Sequence, residues 1–293
     1  MSLAHITQLL TTGAYVQAKR EAERLIKEGN LAVADEARTW LLACRAGLYL
    51  HDPFDAARSG ERALELAAAA GNAAEIAEIH YYLGSAYADI GDVGLAEHHL
   101  QAFLAVLPAQ QPLAEHGARA YSRLGGVYRQ RREWDRAANA LARAAMCFTL
   151  DGDAGAAARC TVSEAWCQMM GGNPERAGTC LGAVEAYLAR ARDDILAVEL
   201  LCHRALLARL RGQVGTATAL CEEVFQPGRG GVKPDHLCIA TWVAGENALD
   251  LGCVGEARTF VDLALRHAVT VNRPDLMNLA GGLRRRLLTQ PDA

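Results

Sequence analysis

The sequence lacks the short motifs that announce catalysis. It has no Gly-x-x-x-x-Gly-Lys-Ser/Thr loop to cradle phosphates, no strand-linked Gly-x-Gly-x-x-Gly and no His-Glu-x-x-His. Its nine cysteines are odd in number and form no Cys-x-x-Cys pair, which argues against a disulfide framework or a thiolate metal site. Cys44, Cys147, Cys160, Cys167, Cys180, Cys202, Cys221, Cys238 and Cys253 read instead as reduced thiols, many at small apolar helix positions. His98 and His99 are adjacent and would point about 100° apart on a helix, a poor chelate. Glu164, Glu222 and Glu223 show no spacing that isolates an acid–base pair. The expectation is a chain that is not an enzyme, with no cofactor and no metal.

Other absences narrow the setting. No run of 18 apolar residues occurs, so no membrane-spanning helix is expected. Met1–Leu10 lacks the basic region and long apolar core of a secretion signal, so cytoplasmic residence is the expectation. Thirty Lys and Arg stand against 34 Asp and Glu, a formal charge of −4, which speaks against direct nucleic-acid binding. Aromatics make up only 6% and β-branched residues are scarce, while Ala and Leu dominate; both trends disfavour sheet and favour helix.

What the sequence has is a period. A turn residue, a short spacer and an alanine that opens a helix recur from end to end. The aligned alanines read as Ala18, Ala57, Ala96, Ala137, Ala177, Ala217 and Ala257, with spacings of 39, 39, 41, 40, 40 and 40 residues. Side chains at +4 and +7 from each continue one helix face, among them Ala22 and Leu25, Leu100 and Phe103, and Leu181 and Val184. Glu61 is the one polar entry in that series.

The segment before each turn is also helical. Leu83-Gly84 with Tyr87, and Leu124-Gly125 with Tyr128, repeat one phrase. Glycine inside a helix costs about 1 kcal/mol against alanine, so its recurrence predicts a neighbour packed where a side chain would collide. Asp52-Pro53 and Asn173-Pro174 place a capping side chain before proline at the first helical position. Asp153 and Asp193 are further caps, and Gly29-Asn30, Gly71-Asn72 and Gly152-Asp153 mark turns between repeats. The reading is fourteen to fifteen helices in one domain, residues 1–293: a partial pair over 2–28, repeats over 31–70, 73–107, 112–149, 154–190, 194–226 and 235–270, and a final helix over 274–288. Pro108–Pro112 reads as a stiffer junction and Pro227–Gly231 as a mobile one, both inside a single array.

Leu83-Gly84-x2-Tyr87 with Ala96, and Leu124-Gly125-x2-Tyr128 with Ala137, resemble the tetratricopeptide repeat signature, with His80 or Tyr121 at its Trp position. The usual period is 34 residues and here it is near 40, a longer form that resembles the sensor and adaptor domains of bacterial regulators. The resemblance implies an all-α, right-handed α-solenoid of antiparallel helix pairs, about seven repeats. It also implies a protein or peptide partner. The asparagine with which chaperone adaptors clamp a terminal carboxylate is replaced by Ser85 or Gly126, so that receptor type is not expected.

In such a stack the first helices of the pairs line a concave groove. Phased against the motif, the groove residues are Glu78, Tyr81, Ser85, Asp89, Arg119, Ser122, Arg129, Gln130, Arg159, Trp166, Arg209, Trp242 and Glu246. Arginine forks and aromatic platforms suit a peptide of acidic character. Arg284-Arg285-Arg286 is the strongest basic cluster and reads as a solvated cap. The leading expectation is a non-catalytic scaffold that captures a peptide or protein segment. The alternative is a ligand- or signalling-peptide-sensing domain of a bacterial transcription regulator, favoured by a pinched groove with one bounded cavity lined by Trp166, Arg159 and Tyr or Glu neighbours. Self-association as a homodimer would run through a terminal repeat.

Overall fold

A computed structural model describes residues 2–106 and 115–290; the Pro108–Pro112 junction lies outside the described residues. Among those residues there are fifteen α-helices and no strand. They are α1 (Leu3–Thr11), α2 (Tyr15–Glu28), α3 (Val33–Tyr49), α4 (Pro53–Ala70), α5 (Ala73–Ile90), α6 (Val93–Val106) and α7 (Glu115–Gln130). There follow α8 (Trp134–Leu150), α9 (Ala154–Met170), α10 (Pro174–Leu188), α11 (Asp194–Leu210), α12 (Val214–Val224), α13 (Pro234–Asp250), α14 (Val254–Val271) and α15 (Pro274–Leu288).

The helices gather into two compact units, Met1–Arg131 and Arg132–Ala293. In the first, α3 packs on α4 and α5 on α6, while α3, α5 and α7 touch in sequence as a second layer. In the second, α9 packs on α8 and α10, α11 on α12, and α13 on α14; here α9, α11, α13 and α15 form the continuous layer.

The packing rests on one position. The alanine four residues past each second-helix N-cap is wholly buried: Ala18, Ala56, Ala96, Ala137, Ala177, Ala217 and Ala257 are each 0% exposed. The structure thus moves the second member of the series from Ala57 to Ala56, because Asp52 is the N-cap and Pro53 the first helical residue. The shift removes the anomaly at Glu61, which is exposed; Gly60 and Ala63 take the +4 and +7 places and are buried. Gly84 shows why a larger residue is excluded from such contacts: a Cβ there would lie 2.6 Å from Cγ of Leu100 and 3.0 Å from its backbone nitrogen. Gly126, one residue past the matching phrase in α7, has open space around it.

The helix starts follow ordinary capping chemistry. Asp52, Asn72, Asp153 and Asp193 each accept a hydrogen bond from the backbone N–H three residues on, at 2.8–3.3 Å. Asn173 does not, and there the start is set by Pro174 alone. The turn before each second helix needs one residue in the left-handed region. Glycine supplies it at Gly13, Gly91, Gly172, Gly212 and Gly252, whereas His51 (φ 57°) and Arg132 (φ 59°) adopt it with side chains attached.

Candidate functional site

In the first unit, the inner face is closed by its own charges. Arg38 reaches from α3 to Glu78 of α5 at 2.6 Å and to Glu75 at 3.7 Å, and Arg45 lies 3.6 Å from Glu78 and over the Tyr82 ring. Arg38, Glu75 and Glu78 border an open depression of about 360 Å³ with Asp35 and Asn72. Burial pushes the Glu75 carboxyl above its usual range, partly countered by Arg38.

The second unit holds a different site. Its inner layer curls far enough that the last inner helix, α15, shares a cavity with the first, α9. The cavity measures about 260 Å³ and is lined by Arg132, Trp134, Trp166, Met170, Asp275, Asn278, Leu279 and Arg285. Trp166 is its best-fixed wall, only 1% exposed. The His203 ring meets its indole edge-on at 5.6 Å, and the Arg273 guanidinium lies 5.9 Å over it. His203 is neutral: burial lowers its pKa to about 4, and its Nδ1 lies 2.7 Å from the Glu199 carbonyl, the geometry of an Nδ1–H donor. Arg273 is held by Asp275, which accepts from Nε at 3.2 Å and from Nη2 at 2.7 Å.

Polar groups at or beside this cavity are unanswered among the described residues. The indole N–H of Trp166 is buried and meets no acceptor among the described residues. Arg132 and Arg285 make no ion pair with any described residue, although both line the cavity.

No protein-family model matches the sequence, and no curated protein matches it either. Solved structures do. NprR in complex with its cognate peptide NprX aligns with 99% of this chain and 84% of its own at a TM-score of 0.66 and 15% identity. A tetratricopeptide repeat protein from Parabacteroides merdae aligns over 95% and 97% at 0.62 and 15%. The apo form of RapI aligns over 98% of both chains at 0.60 and 11%. The chain has the tetratricopeptide-repeat fold. At these identities the fold is what is shared.

Within that fold, the residues expected to line a groove fall into four groups. Glu78, Asp89, Arg159, Arg209 and Glu246 are engaged in ion pairs that tie one helix pair to the next. Asp89 accepts from Arg123 at 2.5 Å, Asp193 from Arg159 at 3.3 Å, and Glu246 from Arg209 at 3.0 Å. Tyr81 and Ser85 are buried; Tyr81 packs against Tyr82, Phe103 and His116, and Ser85 donates back to the Tyr81 carbonyl. Arg119 and Gln130 are exposed on α7, with Ser122 and Arg129 half-buried beside them. Trp242 packs at the edge of the α13–α15 core, leaving Trp166 as the one expected residue that lines the cavity.

The sequence reading missed Arg132, Trp134, Met170 and the α15 residues. The arginine cluster read as a solvated cap is divided: Arg286 pairs with Asp250 at 3.0 Å and with Glu246, while Arg285 borders the cavity. One signal was present: Arg132 occupies a turn position held by glycine in five other repeats.

No described helix is long and apolar enough to cross a membrane. Among the described residues, no three His, Cys, Asp or Glu side chains are grouped to hold a metal. The thiols of Cys44, Cys180, Cys221 and Cys238 are pushed up to about 12 by burial, so they stay protonated at neutral pH.

Proposed function

We propose that this chain is a non-catalytic binding domain that captures a peptide or a partner's segment, seated in the cavity between α9 and α15. The observation that carries the reading is that bounded, tryptophan-walled cavity in the inner layer of the second unit. Ligand sites in such folds are concave and combine apolar walls with a few polar groups, and this lining has four apolar and four polar or charged residues. The peptide in the NprR structure, and the competence and sporulation factor complexed with a Rap protein at a TM-score of 0.55, support a peptide as the ligand class. The protonated thiols fit binding rather than covalent chemistry.

The bounded shape favours the sensing form of this activity over an extended scaffold. In that form the domain is part of a bacterial, cytoplasmic regulator, and occupancy ties α15 to α9. Arg119, Ser122, Arg129 and Gln130 on α7 of the first unit would offer a separate contact surface for an acidic partner.

Selection from a displayed peptide library tests the reading, using the full chain and two variants in parallel. Enriched sequences should lose binding to Trp134→Ala/Leu279→Ala. Their response to Arg119→Ala/Arg129→Ala measures what α7 contributes. Failure to enrich any sequence over a heat-denatured control contradicts the proposal.

A further inference from the structure

Arg132 is expensive where it stands. A left-handed backbone conformation places Cβ close to the following carbonyl, and five equivalent turns avoid this with glycine. Strain of this kind persists where something else repays it. Among the described residues the Arg132 side chain makes no ion pair. It lines the cavity instead, as does Arg285 from α15. Asn278 adds an amide to the same lining. The donors at this site therefore outnumber its acceptors. The one carboxylate among the described lining residues, Asp275, has both oxygens taken by Arg273.

The remaining lining is apolar: Trp134, Met170 and Leu279. The volume of about 260 Å³ falls just below the range of about 300–1,000 Å³ usual for drug-sized ligands. It holds one amino-acid residue or a metabolite of that size, not a folded segment. Asp275 in the wall disfavours a dianion more than a monoanion.

From these features we infer that the cavity is a receptor for a carboxylate carried on a compact apolar group. Arg132 and Arg285 hold the carboxylate, and Trp134, Met170 and Leu279 enclose the apolar part. The inference rests on the cavity being the ligand seat and adds the chemistry of what enters it. A free carboxylic acid and the C-terminal residue of a peptide share this chemistry.

Calorimetry on the full chain separates the cases. The probes are N-acetyl-L-leucine, N-acetyl-L-leucinamide, a pentapeptide ending in leucine, its C-terminal amide, and phenyl phosphate. Both acids should bind at least tenfold more tightly than their amides, and more tightly than phenyl phosphate. Arg132→Gly and Arg285→Gln should each reduce the acid-to-amide ratio toward one. Arg132→Gly should at the same time raise Tm by about 2 °C, since the turn is relieved, so its lost binding cannot be blamed on unfolding. A pentapeptide acid at least tenfold tighter than the acetylated acid identifies a peptide C-terminus as the source; equal affinities identify a free acid. Equal binding of acids and amides, preferred binding of phenyl phosphate, no binding by any probe, or an Arg132→Gly ratio like that of the parent would overturn the inference. A library-selected peptide that binds without a free C-terminus and ignores Arg132→Gly would also overturn it, while leaving the binding function standing.

Discussion

Gly84 offers the sharpest test of how the repeats pack. Replacing it with alanine in α5 brings about 1 kcal/mol of helix propensity. Against that gain, the new methyl group would sit 2.6 Å from Leu100 Cγ, 3.0 Å from Cδ2 and 3.0 Å from the Leu100 backbone nitrogen. Leu100 is 0% exposed, so its side chain has no empty space to move into, and α6 itself must shift by a few tenths of an ångström. Overpacking of this degree costs roughly 1–3 kcal/mol. The contact is tight enough to place the cost toward the upper end, giving a net loss of about 1–2 kcal/mol. Leu100→Ala alone should cost about 2–5 kcal/mol by leaving a cavity. In the double variant the two changes compensate, because the alanine methyl enters the space vacated by leucine, and the coupling should be at least about 1 kcal/mol. Urea denaturation followed by circular dichroism measures all four corners of the cycle. Gly126→Ala is the matched control: its site is open, and it should stabilise by about 0.5–1 kcal/mol. If Gly84→Ala stabilises as much as Gly126→Ala, or the cycle is additive, the close approach of α5 and α6 is wrong.

Three more outcomes follow from the same geometry. His99 and His203 are both held down to about 4 by burial, so the unfolded chain, with histidines near 6.5, binds protons that the folded chain does not. Stability is full above the unfolded value and is lost as pH falls below it, by up to about 1.4 kcal/mol per pH unit for each histidine; equal denaturation midpoints at pH 7.5 and 5.5 would refute this. His51→Gly removes the same backbone strain as Arg132→Gly but at a turn outside the cavity, so it should stabilise by about 0.5–1 kcal/mol and leave binding of N-acetyl-L-leucine unchanged; a calorimetric change in affinity would contradict the assignment of Arg132 as the anion contact. Arg209→Ala strips Glu246 (8% exposed side chain) of one of its two guanidinium partners, Arg286 being the other; it should cost about 1–3 kcal/mol in denaturant, against under about 1 kcal/mol for Arg159→Ala, whose pair with Asp193 is largely solvated.

The helical repeat was legible because it is written in small side chains. Seven wholly buried alanines at one position define the pairing, and Asp52, Asp153 and Asp193 cap as their sequence context predicts. Ala56-Ala57 was ambiguous by one residue, and the charged Glu61 at a supposed packing position was the sign of the wrong register. How the expected groove residues are engaged was not legible, for a physical reason. Helical phase says which side of a helix faces inward, but not whether an inward arginine meets a carboxylate from the next repeat. Arg38 with Glu78 and Arg209 with Glu246 are such pairs, 40 and 37 residues apart. The cavity was beyond reach for another reason. It depends on how tightly the second unit winds, which is the sum of small rotations across several helix contacts, and only that sum brings Leu279 and Arg285 to Trp166 and Met170.

Hydrogen exchange on the full chain, with and without saturating N-acetyl-L-leucine, tests the central claim most directly. Added protection is expected in the segments spanning 132–136, 166–170 and 274–286, with none in α3, α5 or α7. Protection confined to α5 and α7, with α15 unchanged, would place the ligand elsewhere and contradict the account.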